Sequence, residues 1–150
     1  MKNRENKLYI TFPAIPENEK ISRMVAAAFL TEMNPTIEEM DDVKTAVSEA
    51  VTNCILHAYE EREREEKMVE MEVRRAGDQI TLVILDRGKG IENVALAMEP
   101  LFTTKSAEER SGMGFSFMEA FMDKVEVESA VGEGTKVTMT KIIGKGNRLK

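Results

Sequence analysis

Several residue types are scarce in this sequence, and the scarcity of cysteine and of long apolar runs excludes some classes of protein. Tryptophan is absent, and there is one histidine, His57, and one cysteine, Cys54. A lone cysteine cannot form an internal disulfide, and the apolar neighbours of Cys54 favour a small core residue. No apolar run approaches the roughly 18 residues of a membrane helix, and the opening MKNRENKLYI lacks the apolar core of a signal peptide. We therefore expect a cytoplasmic protein that does not bind membranes.

Basic residues are also in deficit. Lysine and arginine total 21 residues against 27 aspartate and glutamate, which gives a formal net charge of −6. Nonspecific binding to nucleic acid relies on Lys and Arg to neutralise phosphates, so we expect no direct nucleic-acid contact. The 42% of hydrophobic and 32% of charged residues are typical of globular proteins, and the length predicts one domain over residues 1–150. An acidic protein of this kind can still bind a basic partner protein or a nucleotide.

The hydrophobic pattern predicts the order strand, two helices, hairpin, long loop, helix, hairpin. The predicted strands are residues 7–12, 69–73, 80–86, 124–130 and 135–142, and the predicted helices run from about 17 to 33, 37 to 59 and 114 to 122. Thr36 and Glu39 are spaced as a capping box at the start of the second helix. Strands joined by tight turns predict an α+β two-layer sandwich, with a mixed, largely antiparallel sheet and the helices on one face.

The second helix carries two polar residues beside its apolar stripe, in the segment SEAVTNCILHAYE (residues 48–60). Glu49 and Asn53 are four residues apart and therefore lie one turn above each other on the same side. A carboxylate and a carboxamide at the border of a buried stripe are costly if they bind nothing. The pair is either a solvated edge or the floor of a site.

Three glycine clusters follow: DRGKG from Asp86, RSGMGF from Arg110, and GEGT ending at Thr135. Each alone is typical of a turn or a helix cap. The first two clusters lie at the two ends of an irregular loop of about 25 residues, from after Asp86 to Gly112, and a loop of that length is usually functional inside a compact domain. Gly112 and Gly114 leave backbone N–H groups open near a helix N-terminus, which favours an anion. The residues before them can supply hydroxyls and cations to phosphate: Thr103, Thr104, Lys105 and Arg110.

No P-loop motif and no dinucleotide-binding glycine motif after a first strand occurs. Instead SEAVTN, DRGKG, TTK…ERSGMGF and GEGT resemble, in order, the four boxes of the gyrase/histidine-kinase-like (GHKL) ATPase superfamily, whose ATP-binding architecture is the Bergerat fold. The resemblance covers about residues 45–140. The stretches VSEAVTN and EPLFTTK…ERSGMGF are similar to the anti-sigma F factors of spore-forming bacteria, small serine protein kinases that hold a sporulation sigma factor.

The resemblance implies a role for each box. Glu49 matches the general base, and Asn53 matches the ligand of the Mg²⁺ ion that bridges the ATP phosphates. Asp86 matches the acceptor for the adenine amino group, and Thr135 the threonine beside it. Residues 91–114 match the ATP lid, in which Arg110 is the best candidate for the terminal phosphate. The other implied ATP-binding residues are Gly88 and Gly90, beside base and ribose, and Thr104, Lys105, Ser111, Gly112, Met113 and Gly114.

The resemblance also implies what the protein does. It would be a homodimeric anti-sigma factor that binds a sporulation RNA polymerase sigma factor and uses Mg-ATP to phosphorylate an anti-anti-sigma factor on serine, with ADP as product. Arg23, read as exposed on the first helix, would contact a partner. The alternative is a nucleotide-gated protein-binding module of the same fold without significant kinase activity.

The sole histidine does not make this a whole two-component histidine kinase, although an orphan fragment of such a kinase stays open. Such kinases carry their phosphoacceptor on a separate upstream segment, whereas one strand and one helix account for the residues before Glu49. His57 is expected to be structural. Many relatives have glycine after this histidine where this chain has Ala58, and we expect little effect because alanine is small and compatible with a helix.

Overall fold

The computed structural model describes residues 4–59, 67–98 and 111–144. Its helices are α1 (Pro16–Leu30), α2 (Ile37–Asn53), α3 (Val94–Ala97) and α4 (Ser111–Phe121), with a 3₁₀ turn at Thr31–Met33 and a π-helical turn at Cys54–Ala58. Its strands are β1 (Glu5–Pro13), β2 (Met68–Ala76), β3 (Gln79–Asp86), β4 (Lys124–Ala130) and β5 (Gly134–Ile142). The predicted order of elements is confirmed, and α3 is an addition inside the segment that the sequence pattern left irregular.

The strands form one five-stranded sheet in the order β1-β2-β3-β5-β4. Every strand pair among the described residues is antiparallel, so the largely antiparallel prediction is confirmed and no parallel pair of a mixed sheet occurs there. The β2–β3 turn is tight because Gly77 adopts a φ of 62°, a conformation that glycine allows without steric penalty. Tight hairpins of this kind produce antiparallel neighbours.

The core lies between one face of the sheet and the helices. Alternate strand residues point to this face and are fully buried: Val69, Met71, Val73, Ile80, Leu82 and Met139. The buried helix residues that meet them include Ala26, Leu30, Val43, Val47, Val51 and Met118. Each fully buried Val, Leu, Ile or Met side chain contributes roughly 1.5–3 kcal/mol relative to exposure. This packing confirms the two-layer arrangement and fixes which side of α2 faces the sheet.

The first turn of α2 is held by the predicted capping box. The Thr36 hydroxyl accepts a hydrogen bond from the Glu39 N–H at 3.0 Å, and Glu39 Oε1 accepts one from the Thr36 N–H at 2.9 Å. The same carboxylate oxygen accepts from the Gly144 N–H at 3.0 Å. Burial alone would raise the pKa of Glu39, but these hydrogen bonds outweigh it and the pKa is lowered. Glu39 therefore also ties α2 to the chain beyond β5.

The last turns of this helix differ from the prediction of a uniform helix to about Tyr59. The α-helix ends at Asn53 and continues as a π-helical turn to Ala58. Partners outside the helix hold this end: the Lys89 N–H donates to the Ala58 carbonyl at 2.8 Å. The buried Tyr59 hydroxyl donates to the Met68 carbonyl at 2.6 Å and accepts from the Arg87 N–H at 2.7 Å. Widened turns of this type are frequent at functional sites.

No helix in the described part of the chain is long and apolar enough to cross a membrane.

Candidate functional site

Glu49 and Asn53 lie at the border of the buried face of α2, and both are half-buried. Burial first, and then the negative charge of Glu19 on α1, raise the pKa of the Glu49 carboxyl above its ordinary value. Among the described residues the buried Nδ2 atom of Asn53 has no hydrogen-bond partner. A buried polar atom left unpaired costs about 1–3 kcal/mol. The pair therefore fits the floor of a site that a ligand or water completes, and not a freely solvated edge.

Asp86 ends β3 and lies against the turn that follows Asn53. It is 6% exposed. Its Oδ1 accepts a hydrogen bond from the Gly88 N–H at 2.9 Å, and its Oδ2 accepts one from the Cys54 thiol at 3.5 Å. Burial raises the pKa of Asp86, although the N–H of Gly88, the Cys54 thiol and the N–H of Thr135 each lower it. The end of α2 thus brings Cys54 into contact with Asp86, and Asn53 is the residue directly before Cys54.

A row of polar side chains crosses three neighbouring strands at this end of the sheet. The register sets Asp86 opposite Thr135 and Thr135 opposite Ser129. The hydroxyl oxygens of Ser129 and Thr135 are 2.8 Å apart. Ser129 also donates to the Gly134 carbonyl at 2.9 Å and accepts from the Ile91 N–H at 2.7 Å. Because the single hydroxyl hydrogen of Ser129 is donated to Gly134, Thr135 is the donor in the pair with Ser129. The lone pairs of the Thr135 hydroxyl oxygen can then accept from another donor.

Ser129 was missed in the sequence, although a signal for it exists. In KVEVESA the residues Val125, Val127 and Ser129 alternate with exposed neighbours, so Ser129 occupies a core-facing position where a polar side chain needs a partner. Its contact with Ile91 joins the predicted adenine side of the site to the first residue of the predicted lid.

The glycines of DRGKG are required by contacts within the protein. A Cβ on Gly88 would lie 2.1 Å from the Ala58 carbonyl oxygen, and one on Gly90 (φ +77°) would lie 2.2 Å from the Ala130 oxygen. The Lys89 carbonyl between them accepts from the Gly132 N–H at 2.8 Å. The loop is therefore clamped between the π-helical turn and the β4–β5 turn. The approach of Gly88 and Gly90 to base and ribose stays a prediction.

The predicted lid is only partly described. Its first residues, 91–98, include α3, which Asn93 caps by accepting the Leu96 N–H at 3.0 Å. The last predicted lid residues (Ser111, Gly112, Met113 and Gly114) form the first turn of α4, which begins at Ser111 and not near Gly114 as predicted. First-turn N–H groups have no acceptor within the helix, which explains why a helix can include these residues and still offer donors. Thr103, Thr104, Lys105 and Arg110 lie outside the described residues.

Arg23 is not freely exposed, which corrects the expectation from the sequence. Its side chain is 34% exposed, and its Nε lies 3.3 Å from Glu19 Oε2, one turn earlier on α1. On an exposed helix surface both groups would be in water, but these two atoms are buried and, apart from their ion pair, have no hydrogen-bond partner among the described residues. Beside Arg23, Ile21 and Met24 are 56% and 55% exposed. The face presented by α1 is thus largely apolar.

The family model of the histidine kinase-like ATPase domain matches residues 12–141, which is most of this chain. The chain belongs to the histidine kinase-like ATPase family. Relatives in this ATPase family include the anti-sigma F factor of Thermoanaerobacter sp. (strain X514), 50% identical over 93% of this chain and 95% of the relative. Another is the anti-sigma F factor of Clostridium beijerinckii, 52% identical over 91% of this chain and 94% of the relative.

Solved structures agree on the fold of this ATPase family. A crystal structure of the RsbU and RsbW domains of a Mycobacterium tuberculosis protein superposes with a TM-score of 0.68 at 21% identity, covering 92% of this chain and 32% of that one. The SiaB–SiaC complex of Pseudomonas aeruginosa gives a TM-score of 0.62 at 13% identity, covering 91% of this chain and 89% of that one. At such identities the likeness concerns the fold alone.

Membership of the ATPase family implies ATP binding, and the residues present fit that ligand. Asp86 offers buried, oriented oxygens to an amino group, and Asn53 offers a carboxamide whose hydrogen bonding is incomplete. The described residues contain no cluster of three or more His, Cys, Asp or Glu side chains able to hold a metal. If Mg²⁺ binds here, the carboxamide oxygen of Asn53 would hold it together with phosphate and water oxygens, as is common for Mg²⁺.

Proposed function

We propose that this protein is an anti-sigma factor with protein serine kinase activity. It would bind a sporulation RNA polymerase sigma factor in the cytoplasm, and transfer the γ-phosphate of Mg-ATP to a serine of an anti-anti-sigma factor. The observation that carries the proposal is the half-buried Glu49, one helical turn from Asn53 and with a raised pKa, in a chain half identical to anti-sigma F factors over almost its full length.

The arrangement suits a base for a serine hydroxyl. As the serine oxygen bonds to the γ-phosphorus, the bond from that phosphorus to the β–γ bridging oxygen breaks and ADP leaves with its electron pair. Glu49 would take the hydroxyl proton. A raised pKa makes this carboxylate a stronger base than an exposed glutamate. Asn53 would hold a bound Mg²⁺ ion, which would neutralise part of the phosphate charge.

The other end of the site would select adenine. The protein supplies the Gly88 N–H to Oδ1 of Asp86, the Cys54 thiol to Oδ2, and the N–H of Thr135 beside them, and the lone pairs that remain can accept from the adenine amino group. The hydroxyl oxygen of Thr135, beside Asp86, can accept a further hydrogen bond. Buried polar groups that require a donor discriminate strongly against ligands that lack one.

The surface of the first two elements supports partner binding. The exposed Ile21 and Met24 flank Arg23 on α1, and Leu8 and Tyr9 are exposed on β1, which is an edge strand. Exposed apolar side chains beside an unpaired strand edge are typical of interaction surfaces. We assign the homodimer contact to β1 and the sigma-factor contact to α1, with Arg23 at its centre. The same surface would serve the alternative, a nucleotide-gated binding module without kinase activity.

A labelling experiment separates the two functions. The purified protein is incubated with γ-³²P-ATP, Mg²⁺ and the candidate anti-anti-sigma factor, and the labelled residue is identified by mass spectrometry. Phosphoserine on that factor supports the kinase. ATP binding and sigma-factor capture without labelled protein would support the binding module instead.

Capture of the sigma factor also tests the role of Arg23. The Arg23→Ala variant should capture less of the sigma factor than wild type, whereas the Lys20→Ala variant, changed at an exposed position of the same helix, should capture as much as wild type. Equal capture by both variants would remove Arg23 from the interface.

A further inference from the structure

The thiol of Cys54 has a defined partner. Cys54 is 4% exposed and is the first residue of the π-helical turn, directly after Asn53. Its Sγ lies 3.5 Å from Asp86 Oδ2. The thiol is the donor in this contact, and the carboxylate oxygen is the acceptor.

This contact completes the support of Asp86. The Gly88 N–H approaches Oδ1 from the loop after β3, and the Cys54 thiol approaches Oδ2 from the helix side. Two donors from different elements hold the plane of the carboxylate, which otherwise rotates readily about its terminal torsion. A thiol is a weak donor, so Oδ2 keeps most of its capacity to accept a second hydrogen bond.

We propose that Cys54 is a positioning residue for adenine recognition, orienting Asp86 Oδ2 toward the amino group at position 6 of the purine. The proposal rests on the proposed function, because it assigns Cys54 to the same ATP site. It goes beyond the assignment of Asp86 by naming the side chain that holds the acceptor in place. The competing interpretation is that Cys54 only fills space in the core.

Selectivity between two nucleotides distinguishes these interpretations. ATP and purine riboside triphosphate differ only in the amino group at position 6. Loss of orientation at Asp86 weakens ATP binding by about tenfold, the loss expected for a hydrogen bond to a charged group, and changes the binding of the purine analogue little. A loss of packing alone weakens both nucleotides to the same extent.

The test measures dissociation constants for both nucleotides with wild type and three variants. Cys54→Ala removes the donor and the volume, and Cys54→Val removes the donor while filling the space. Cys54→Ser restores a donor. The proposal expects the preference for ATP to fall about tenfold in the Ala and Val variants and to recover in the Ser variant. Thermal unfolding of each variant without nucleotide measures its stability separately.

Each outcome has a distinct meaning. If wild type prefers ATP and both donor-free variants keep that preference, the role of Cys54 is overturned while the ATP site stands. If wild type binds ATP and the purine analogue equally, Asp86 does not read the amino group, and that part of the proposed function fails together with the inference. A Cys54→Ser variant that binds both nucleotides but lacks the preference would also contradict the inference.

Discussion

The hydroxyl oxygen of Ser129 lies 2.8 Å from that of Thr135 and also accepts the Ile91 N–H at 2.7 Å. One serine therefore orients a predicted adenine contact and anchors the loop that leads into the predicted lid. The Ser129 hydroxyl donates a hydrogen bond to the Gly134 carbonyl at 2.9 Å, so the whole hydrogen-bonding capacity of Ser129 is used within the protein.

Ser129→Ala should weaken ATP binding. The substitution releases Thr135 and leaves the Ile91 N–H without this acceptor, and each lost hydrogen bond is worth about 0.5–1.5 kcal/mol. We expect a decrease in ATP affinity of roughly three- to tenfold, measured by calorimetry. Thr138→Ala, on the opposite face of β5, is the control and should bind ATP like wild type. Equal affinity of the two variants would contradict the role of Ser129.

Gly90 and Gly132 form a matched pair for testing the clamp around DRGKG. Their φ angles are +77° and +82°, but an added Cβ would meet the Ala130 carbonyl oxygen at 2.2 Å at Gly90 and nothing within 4 Å at Gly132. Gly132→Ala should lower the free energy of unfolding by about 1 kcal/mol, the cost of placing alanine at a positive φ. Gly90→Ala should lower it by about 1–3 kcal/mol more, because the backbone around Ala130 must move to make room for the Cβ. Urea denaturation measures both, and equal losses would rule out the clamp.

Glu39→Ala should destabilise the fold by about 1 kcal/mol, the usual worth of a helix cap. Glu38→Ala, exposed in the same turn, is the control and should change stability little. Since the folded-state pKa of Glu39 is lowered, its contribution is present above the unfolded-state pKa and is lost as pH falls through the folded value. The stability difference between wild type and Glu39→Ala should therefore shrink in acid. A difference that grows in acid would contradict this assignment.

Glu19→Gln should move the acid limb of the phosphotransfer rate to lower pH. Glu49 acts as a base only when deprotonated, and the charge of Glu19 is one of the two causes that raise its pKa. Removing that charge lowers the pKa, so activity persists further into acid. Glu17→Gln, exposed on the same helix, should leave the limb unchanged. An upward shift with Glu19→Gln would show that the charge of Glu19 is not what Glu49 responds to.

The sequence predicted what depends on local pattern and left out what depends on contacts between distant segments. The capping box of Thr36 and Glu39 and the antiparallel hairpins follow from neighbouring residues and are confirmed. The π-helical turn could not be predicted, because its end is held by the Lys89 N–H and by the partners of Tyr59 across the sheet.

The same limit applies to the site. Glu49 and Asn53 could be predicted as site residues because polar residues interrupt the border of an apolar stripe, and their roles stay predictions. Arg23 was wrongly expected to be exposed, because the position of a long side chain depends on the geometry of its pair with Glu19. The contact of Cys54 with Asp86 joins α2 to β3, and no sequence period encodes such a contact.

The central claim is that Glu49 is the base for phosphoryl transfer and not an ATP-binding residue. Glu49→Gln keeps the size of the side chain and removes its basicity. Single-turnover transfer from γ-³²P-ATP should fall by about 10²–10⁴-fold, while ATP affinity, measured on the same preparation, should stay within about twofold of wild type because the base acts on the proton of the acceptor serine. Transfer at the wild-type rate, or a loss of affinity that accounts for the loss of transfer, would contradict the account.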